Sequence, residues 1–228
     1  MTEDFAVARC RMVDRQIARR GIHDAAILDA MRTVPREAFI PAGMRDAAYD
    51  DAPLPIAMGQ TISQPWIVAH MLDLAGVHRG DKVLDVGAGS GYATAVAAQI
   101  AGHVHAIERH EALVRSAQRV LASLRCDNVS IHHGDGTRGW PGAAPYDAIL
   151  VAAASPGVPP ALKEQLAEGG RLVIPVGPDV WHQHLLRITR RNDHDFSEER
   201  LGAVRFVPLI ADDRPGDKQA GTVESPFE

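Results

Sequence analysis

The chain has little cysteine, no excess of positive charge and no long apolar run, and each shortage removes a class of function. Only Cys10 and Cys126 occur among 228 residues. They lie far apart, which excludes a disulfide framework and the paired spacing of a structural zinc site. The 11 histidines form no HExxH or other metal-ligand spacing. His182 and His184 alternate beside a candidate strand and read as surface residues. Lys and Arg total 24 against 29 Asp and Glu, a net charge of -5, so the basic footprint of a nucleic-acid binder is missing. No stretch approaches the ~20 apolar residues that span a bilayer. Met1-Thr2-Glu3-Asp4 is acidic and lacks the basic and apolar regions of an export signal. These absences predict a cytoplasmic protein with no nucleic-acid, membrane or metal partner; a monomer is expected, though none of these features bears on the oligomeric state. No internal repeat is present.

What the chain does have is a βα alternation around one glycine loop. Hydrophobic residues make up 46% of it, enough for a large core. In Val83-Leu84-Asp85-Val86-Gly87-Ala88-Gly89-Ser90-Gly91-Tyr92 a buried strand breaks into a loop with glycine at every second position. Ala93–Ala101 then reads as a helix. That order makes a ligand crevice at the carboxyl ends of an open α/β sheet. A dinucleotide fingerprint sets its third glycine five positions after the first, where Tyr92 stands here. The spacing argues against a pyrophosphate cradle and suits a smaller adenosyl ligand. Lys82–Val86 is the first strand of the alternation and His103–Ile107 the second, ending at Glu108. Glu108 lies about twenty residues beyond Gly87, where an acidic group accepts both ribose hydroxyls. Asn128–His133 is the third strand, followed by Gly134-Asp135-Gly136, which reads either as an acceptor for an adenine amino group or as an ordinary turn. Tyr146–Val151 is the fourth. Pro159 and Pro160 open a helix to Glu168, and Gly169-Gly170 lead into the strand Arg171–Val176. Leu185–Thr189 and Val204–Leu209 are two further strands, read as a hairpin at one edge.

The front of the chain lacks this alternation. Phe5–Arg20 reads as a helix with Val7, Met12, Val13 and Ile17 among arginines, and Gly21 as its C-cap. Asp24 caps a second helix through Val34, with Ala26, Ile27, Ala30 and Met31 on its inner face. Pro35 ends it, and Arg36–Ala57 reads as turns and extended pieces. The division expected is a helical appendage at 1–57, a sheet domain at 58–210 and a loosely held polar tail at 211–228. Met58-Gly59-Gln60-Thr61-Ile62-Ser63-Gln64-Pro65 is the second informative stretch. Pro65 opens a helix to Ala75 with Gly76 just beyond. Thr61 and Ser63 then stand where free N–H groups and the helix dipole favour an anion; a plain cap by Ser63 or Gln64 is the alternative.

Missing chemistry narrows the reaction. After the fourth strand stands Ala152-Ala153-Ala154-Ser155-Pro156, neither the polar-Pro-Pro-aromatic loop that serves base-amino methylation nor the carboxylate that serves magnesium-dependent phenol methylation. No acidic pair and no Ser/His/Asp order supplies a base and a nucleophile. A carboxylate substrate needs neither, since with a pKa near ~4 it is ionised at neutral pH. It can attack a sulfonium methyl directly once the two are aligned.

With these pieces in place the chain resembles the protein-L-isoaspartate O-methyltransferase family. The matching segments run from Met12-Val13 to Val204-Arg205-Phe206-Val207-Pro208-Leu209. Between them lie Val34-Pro35-Arg36-Glu37-Ala38-Phe39-Ile40-Pro41, Gly59–Pro65, Val83–Tyr92 and Gly134-Asp135-Gly136-Thr137-Arg138-Gly139-Trp140-Pro141. The resemblance implies an α/β, Rossmann-like class I fold with a mostly parallel sheet, helices on both faces and extra N-terminal helices. It implies S-adenosyl-L-methionine as cofactor, leaving as S-adenosyl-L-homocysteine. The implied reaction methylates the free α-carboxylate of L-isoaspartyl residues in damaged proteins or peptides; the ester closes unaided to a succinimide, part of which opens to aspartate. It assigns Ser63, with Thr61, to catalysis. Thr61, Ile62, Ser63, Asp85, Gly87, Gly89, Gly91, Glu108, Asp135 and Gly136 are the expected cofactor contacts. Ala152 stands where members commonly carry Thr. Two alternatives stay open on sequence: a carboxyl methyltransferase dedicated to an Asp side chain of one peptide, and a non-catalytic S-adenosylmethionine-binding protein.

Overall fold

The front of the chain folds as capped helices laid against the sheet. In the computed structural model, which describes residues 4–212, Phe5–Met12 (α1) continues as a π turn, Val13–Ile17, and a 3-10 turn, Ala18–Arg20. Gly21 stops this run in the left-handed region, at φ 95°, which glycine alone adopts freely. Asp24 caps Ala25–Thr33 (α2), its Oδ1 accepting from the N–H groups of Ala26 at 2.8 Å and Ile27 at 3.1 Å. Ile27, Ala30 and Met31 are buried as expected, whereas Ala26 is exposed because it lies in the first turn at the capped end. Leu54–Pro55 (β1) and Thr61–Ile62 (β2) form a small antiparallel ladder. Pro65–Ala75 (α3) follows with proline at its start and Gly76 left-handed at its end.

The central sheet has seven strands. Lys82–Val86 (β3), His103–Glu108 (β4), Val129–His133 (β5), Tyr146–Val151 (β6) and Leu166–Val176 (β7) are parallel, and Gln183–Arg190 (β8) and Phe196–Val204 (β9) add an antiparallel edge. The order is β5-β4-β3-β6-β7-β8-β9. The chain builds outward from β3 through β4 to β5, then returns to the other side of β3 as β6. A ligand crevice belongs at that switch point, outside the carboxyl ends of β3 and β6.

One face of the sheet is covered by α3, Tyr92–Ala98 (α4) and Glu111–Ser123 (α5), whose Leu72, Val96 and Leu121 share one core with Met12, Ile27, Met31 and Phe39 from the front segment. The other face packs Leu84, Val86, Ile149 and Leu172 against Leu162 of Pro160–Glu164 (α6).

Three sequence boundaries move. The helix expected to reach Glu168 ends at Glu164, and β7 already begins at Leu166. Gln165 explains the stop: its Oε1 accepts from the Trp140 N–H and its Nε2 donates to the Arg138 carbonyl, each at 2.8 Å. The last strand is Phe196–Val204 and not Val204–Leu209, so the edge hairpin is real but its second arm lies earlier. The apolar run after Val204 instead crosses the end of β6: Ala154 N donates to the Val207 carbonyl at 2.8 Å and Leu209 N to the Ala154 carbonyl at 2.6 Å. Of the tail expected to be loosely held, Ala211 and Asp212 are described and the rest lies outside the described residues.

Candidate active site

The glycine loop turns back on its neighbouring strand before α4 begins. The N–H groups of Gly87 and Ala88 both donate to the Ile107 carbonyl, at 2.9 and 3.2 Å. The next free N–H, that of Gly89, donates to Glu108 Oε2 at 2.9 Å, and His110 N donates to Oε1 at 2.8 Å. Two backbone groups therefore fix the Glu108 carboxylate at the end of β4, where it faces the cleft. Each oxygen keeps a lone pair free for a further donor, which is what a vicinal diol requires.

The opposite wall comes from the turn into α3. Gln64 occupies the N-cap position but makes no side-chain cap bond; its Nε2 donates instead to Asp51 Oδ1 at 2.7 Å. The Ser63 and Thr61 hydroxyls bond to no described residue, so neither is committed to capping. Thr61, Ile62 and Ser63 line the cleft together with Gly87, Gly89, Glu108 and Gly136.

Gly136 lines the cleft and packs tightly behind it: a Cβ there would stand 2.6 Å from Cγ1 of the buried Val86, so only glycine fits without a shift of the core. Gly91 works differently. At φ 88° it begins α4, and a Cβ would come within 3.0 Å of Ala117 Cβ. It brings α4 against α5 and does not itself line the cleft.

Two further expected contacts stand behind the wall. Asp85 is wholly buried and accepts from Thr94 Oγ1 at 2.5 Å. Burial pushes its carboxyl up to about 6; the nearby Glu108 charge adds to the rise, and the Thr94 bond opposes it. At Asp135, burial pulls in the same upward direction but is outweighed. Hydrogen bonds from Thr137 and from Asp212 N, with the Arg138 charge, hold this carboxyl below the usual range. Its Oδ1 accepts from Thr137 N and Oγ1 at 2.9 and 2.7 Å, and its Oδ2 from Asp212 N at 3.2 Å.

The cleft has lining that sequence reasoning did not assign to it. Arg109 and His110 follow Glu108, Ala152 and Ala153 follow β6, and Val207–Ile210 roof it. Pro208 carried a usable signal for that roof, because a proline cannot donate within a sheet ladder.

The model of the protein-L-isoaspartate(D-aspartate) O-methyltransferase family matches residues 8–214. The chain belongs to that family. A relative named protein-L-isoaspartate O-methyltransferase 1 from Rhodopseudomonas palustris (strain HaA2) is 58% identical over 209 residues, covering 92% of this chain and 85% of its own. A protein-L-isoaspartate O-methyltransferase of Brucella anthropi is 52% identical over 207 residues, 91% of this chain and 95% of its own. Among solved structures, a Plasmodium falciparum chain described as a protein-L-isoaspartate O-methyltransferase, in complex with S-adenosyl-L-homocysteine, matches with a TM-score of 0.77 at 30% identity. That match covers 89% of this chain and 98% of the other. Within this isoaspartate O-methyltransferase fold, the carboxylate of Glu108 and the hydroxyls of Thr61 and Ser63 face each other across one cleft.

Proposed function

We propose that the protein transfers the methyl group of S-adenosyl-L-methionine to the free α-carboxylate of L-isoaspartyl residues in damaged proteins and peptides. The observation that carries this reading is the cleft itself: two uncommitted hydroxyls at a helix start stand opposite a carboxylate fixed beside a glycine loop. The residues fit an adenosyl cofactor. Glu108 would take the ribose hydroxyls, Gly87 and Gly89 admit the chain of the ligand close to backbone, and Gly136 lines the end of the cleft that the base would occupy. Asp85 and Asp135 support this wall from behind. When bound, the cofactor supplies a sulfonium methyl open to attack.

The remaining work falls to this chain's own groups. Ser63, with Thr61 beside it, donates hydrogen bonds that orient the substrate carboxylate toward the methyl position, while Ile62 and Val207–Ile210 exclude water. No general base is required, because the nucleophile is ionised already; positioning is the main catalytic contribution. The ester product closes to a succinimide without further help, and part of it opens to aspartate.

We also read 1–57 as an appendage on the methyltransferase domain of 58–210, followed by a tail. The protein is read as monomeric and cytoplasmic, without nucleic-acid or membrane partners. The net charge of -5 supports the absence of nucleic acid, and no helix among the described residues is long and apolar enough to cross a membrane.

The test supplies cofactor carrying a labelled methyl group to an isoaspartyl peptide and to its normal aspartyl twin, and measures base-labile ester. Label on the isoaspartyl peptide alone is expected. Label on neither peptide, or equally on both, contradicts the reading.

A further inference from the structure

A polypeptide substrate has to leave the cleft across its rim, and one part of that rim is built to meet it. The turn at 177–182, between β7 and β8, lies on the side where the cleft opens. Gly177 N donates to the Ser155 carbonyl at 3.0 Å and Ser155 bridges Val176. The turn is thereby tied to the segment that places Ala152 and Ala153 in the cleft wall. Near its end Trp181 is 68% exposed, the most exposed large apolar side chain among the described residues. The Arg205 guanidinium lies 4.2 Å from the centre of its ring. Arg205 is itself exposed and pairs with no carboxylate among the described residues. Asp179, the carboxylate of the turn, is already engaged by the His182 ring at 2.9 Å and by the N–H groups of Trp181 and His182.

The pair is held in place from beneath. Gln183 is buried and grips both backbone groups of Phe206: its Oε1 accepts from Phe206 N at 2.6 Å, and its Nε2 donates to the Phe206 carbonyl at 3.1 Å. Arg205 is two residues from Val207, which lines the cleft; an extended chain spans at most ~7 Å over that step. Arg205 and Val207 flank the buried Phe206, and Arg205 is exposed within that short reach of the cleft-lining Val207.

We propose that Trp181 and Arg205 form a specificity subsite for an acidic side chain flanking the isoaspartyl residue of the substrate. The guanidinium edge, unpaired among the described residues, takes the carboxylate, and the indole takes the methylene groups that carry it. This inference rests on the reading that the substrate is an isoaspartyl polypeptide.

The test is a set of isoaspartyl peptides that differ only in carrying Glu or Gln at each of the three positions on either side. KM and kcat are measured for the full chain and for its Arg205→Gln and Trp181→Ala variants. At one position Glu is expected to lower KM about two- to fivefold relative to Gln, the strength of an exposed ion pair, with kcat unchanged. Arg205→Gln abolishes that preference, Trp181→Ala weakens it, and neither alters affinity for S-adenosyl-L-homocysteine, which also shows that both variants are folded. Equal KM for Glu and Gln at every position overturns the subsite, as does a preference that survives Arg205→Gln. If no isoaspartyl peptide is methylated, the functional reading fails and the subsite fails with it.

Discussion

Two carboxylates at the ends of neighbouring strands show how position decides a side chain's task. Glu108 lines the cleft at 6% exposure, each of its two oxygens held by one backbone N–H group and left with a lone pair for a ligand. Replacing it with Gln removes a charge-assisted acceptor, worth roughly 1.5–3 kcal/mol. Titration with S-adenosyl-L-homocysteine should then show at least about tenfold weaker binding; an unchanged affinity contradicts the ribose assignment. Asp85, one strand away, is buried and its pKa rises from 3.8 to about 6. The folded state therefore binds the proton more tightly than the unfolded chain does. Between about pH 4 and 6 this carboxyl's contribution to stability falls as pH rises, and it stays low above that window. Asp85→Asn retains an acceptor for Thr94 but carries no charge. Urea unfolding across the window should show the variant gaining on the parent by up to about 3 kcal/mol as pH rises. Parallel curves contradict this.

At the scale of elements, the glycine loop depends on how closely α4 approaches α5. Gly91→Ala combines a left-handed φ of 88° with a Cβ 3.0 Å from Ala117. It should cost more than about 1 kcal/mol in unfolding measurements; a neutral effect would show that the helices can move apart freely. The parallel strands, α3 and the cap at Asp24 were legible because buried runs and capping residues carry their own local signals. β9 was not. Phe196-Ser197-Glu198-Glu199-Arg200 is polar and mostly exposed, and the strand exists through pairing with β8, with Arg187 and Glu199 joined at 2.7 Å. Pairing of that kind leaves no apolar alternation to read. The run Phe206–Leu209 misled for the opposite reason. It is apolar because it roofs a cleft, and apolar content alone does not distinguish a roof from a strand. The same holds within the site: Glu108 and Ser63 were legible from their places after a strand and before a helix. Arg109 comes to the cleft on the turn after β4, Ala153 on the turn after β6 and Val207 on the segment after β9, three places that only the strand order brings together.

At the scale of the whole molecule, the front segment and the sheet share a single core. Phe39 is 5% exposed and meets Tyr92 edge-on at 5.6 Å between ring centres, one residue from the glycine loop. Arg36 lies beside it, its guanidinium 5.0 Å from the Tyr92 ring centre. The appendage therefore reaches the floor of the cleft through packed side chains. Phe39→Ala is expected to cost about 3–5 kcal/mol and to lower the melting of the entire chain in one step. Tryptophan fluorescence and far-ultraviolet dichroism should report coincident transitions. Separate transitions would show that the front segment folds on its own.

The account as a whole depends on hydroxyls at the start of α3 steering an ionised carboxylate, with the cofactor held by other residues. Ser63→Ala tests this most directly, with turnover on an isoaspartyl peptide and affinity for S-adenosyl-L-homocysteine measured on the same preparation. Turnover should fall at least about tenfold, the loss of one hydrogen bond to a charged group, while cofactor affinity holds. Equal losses in both would make Ser63 a cofactor-binding residue and contradict the account.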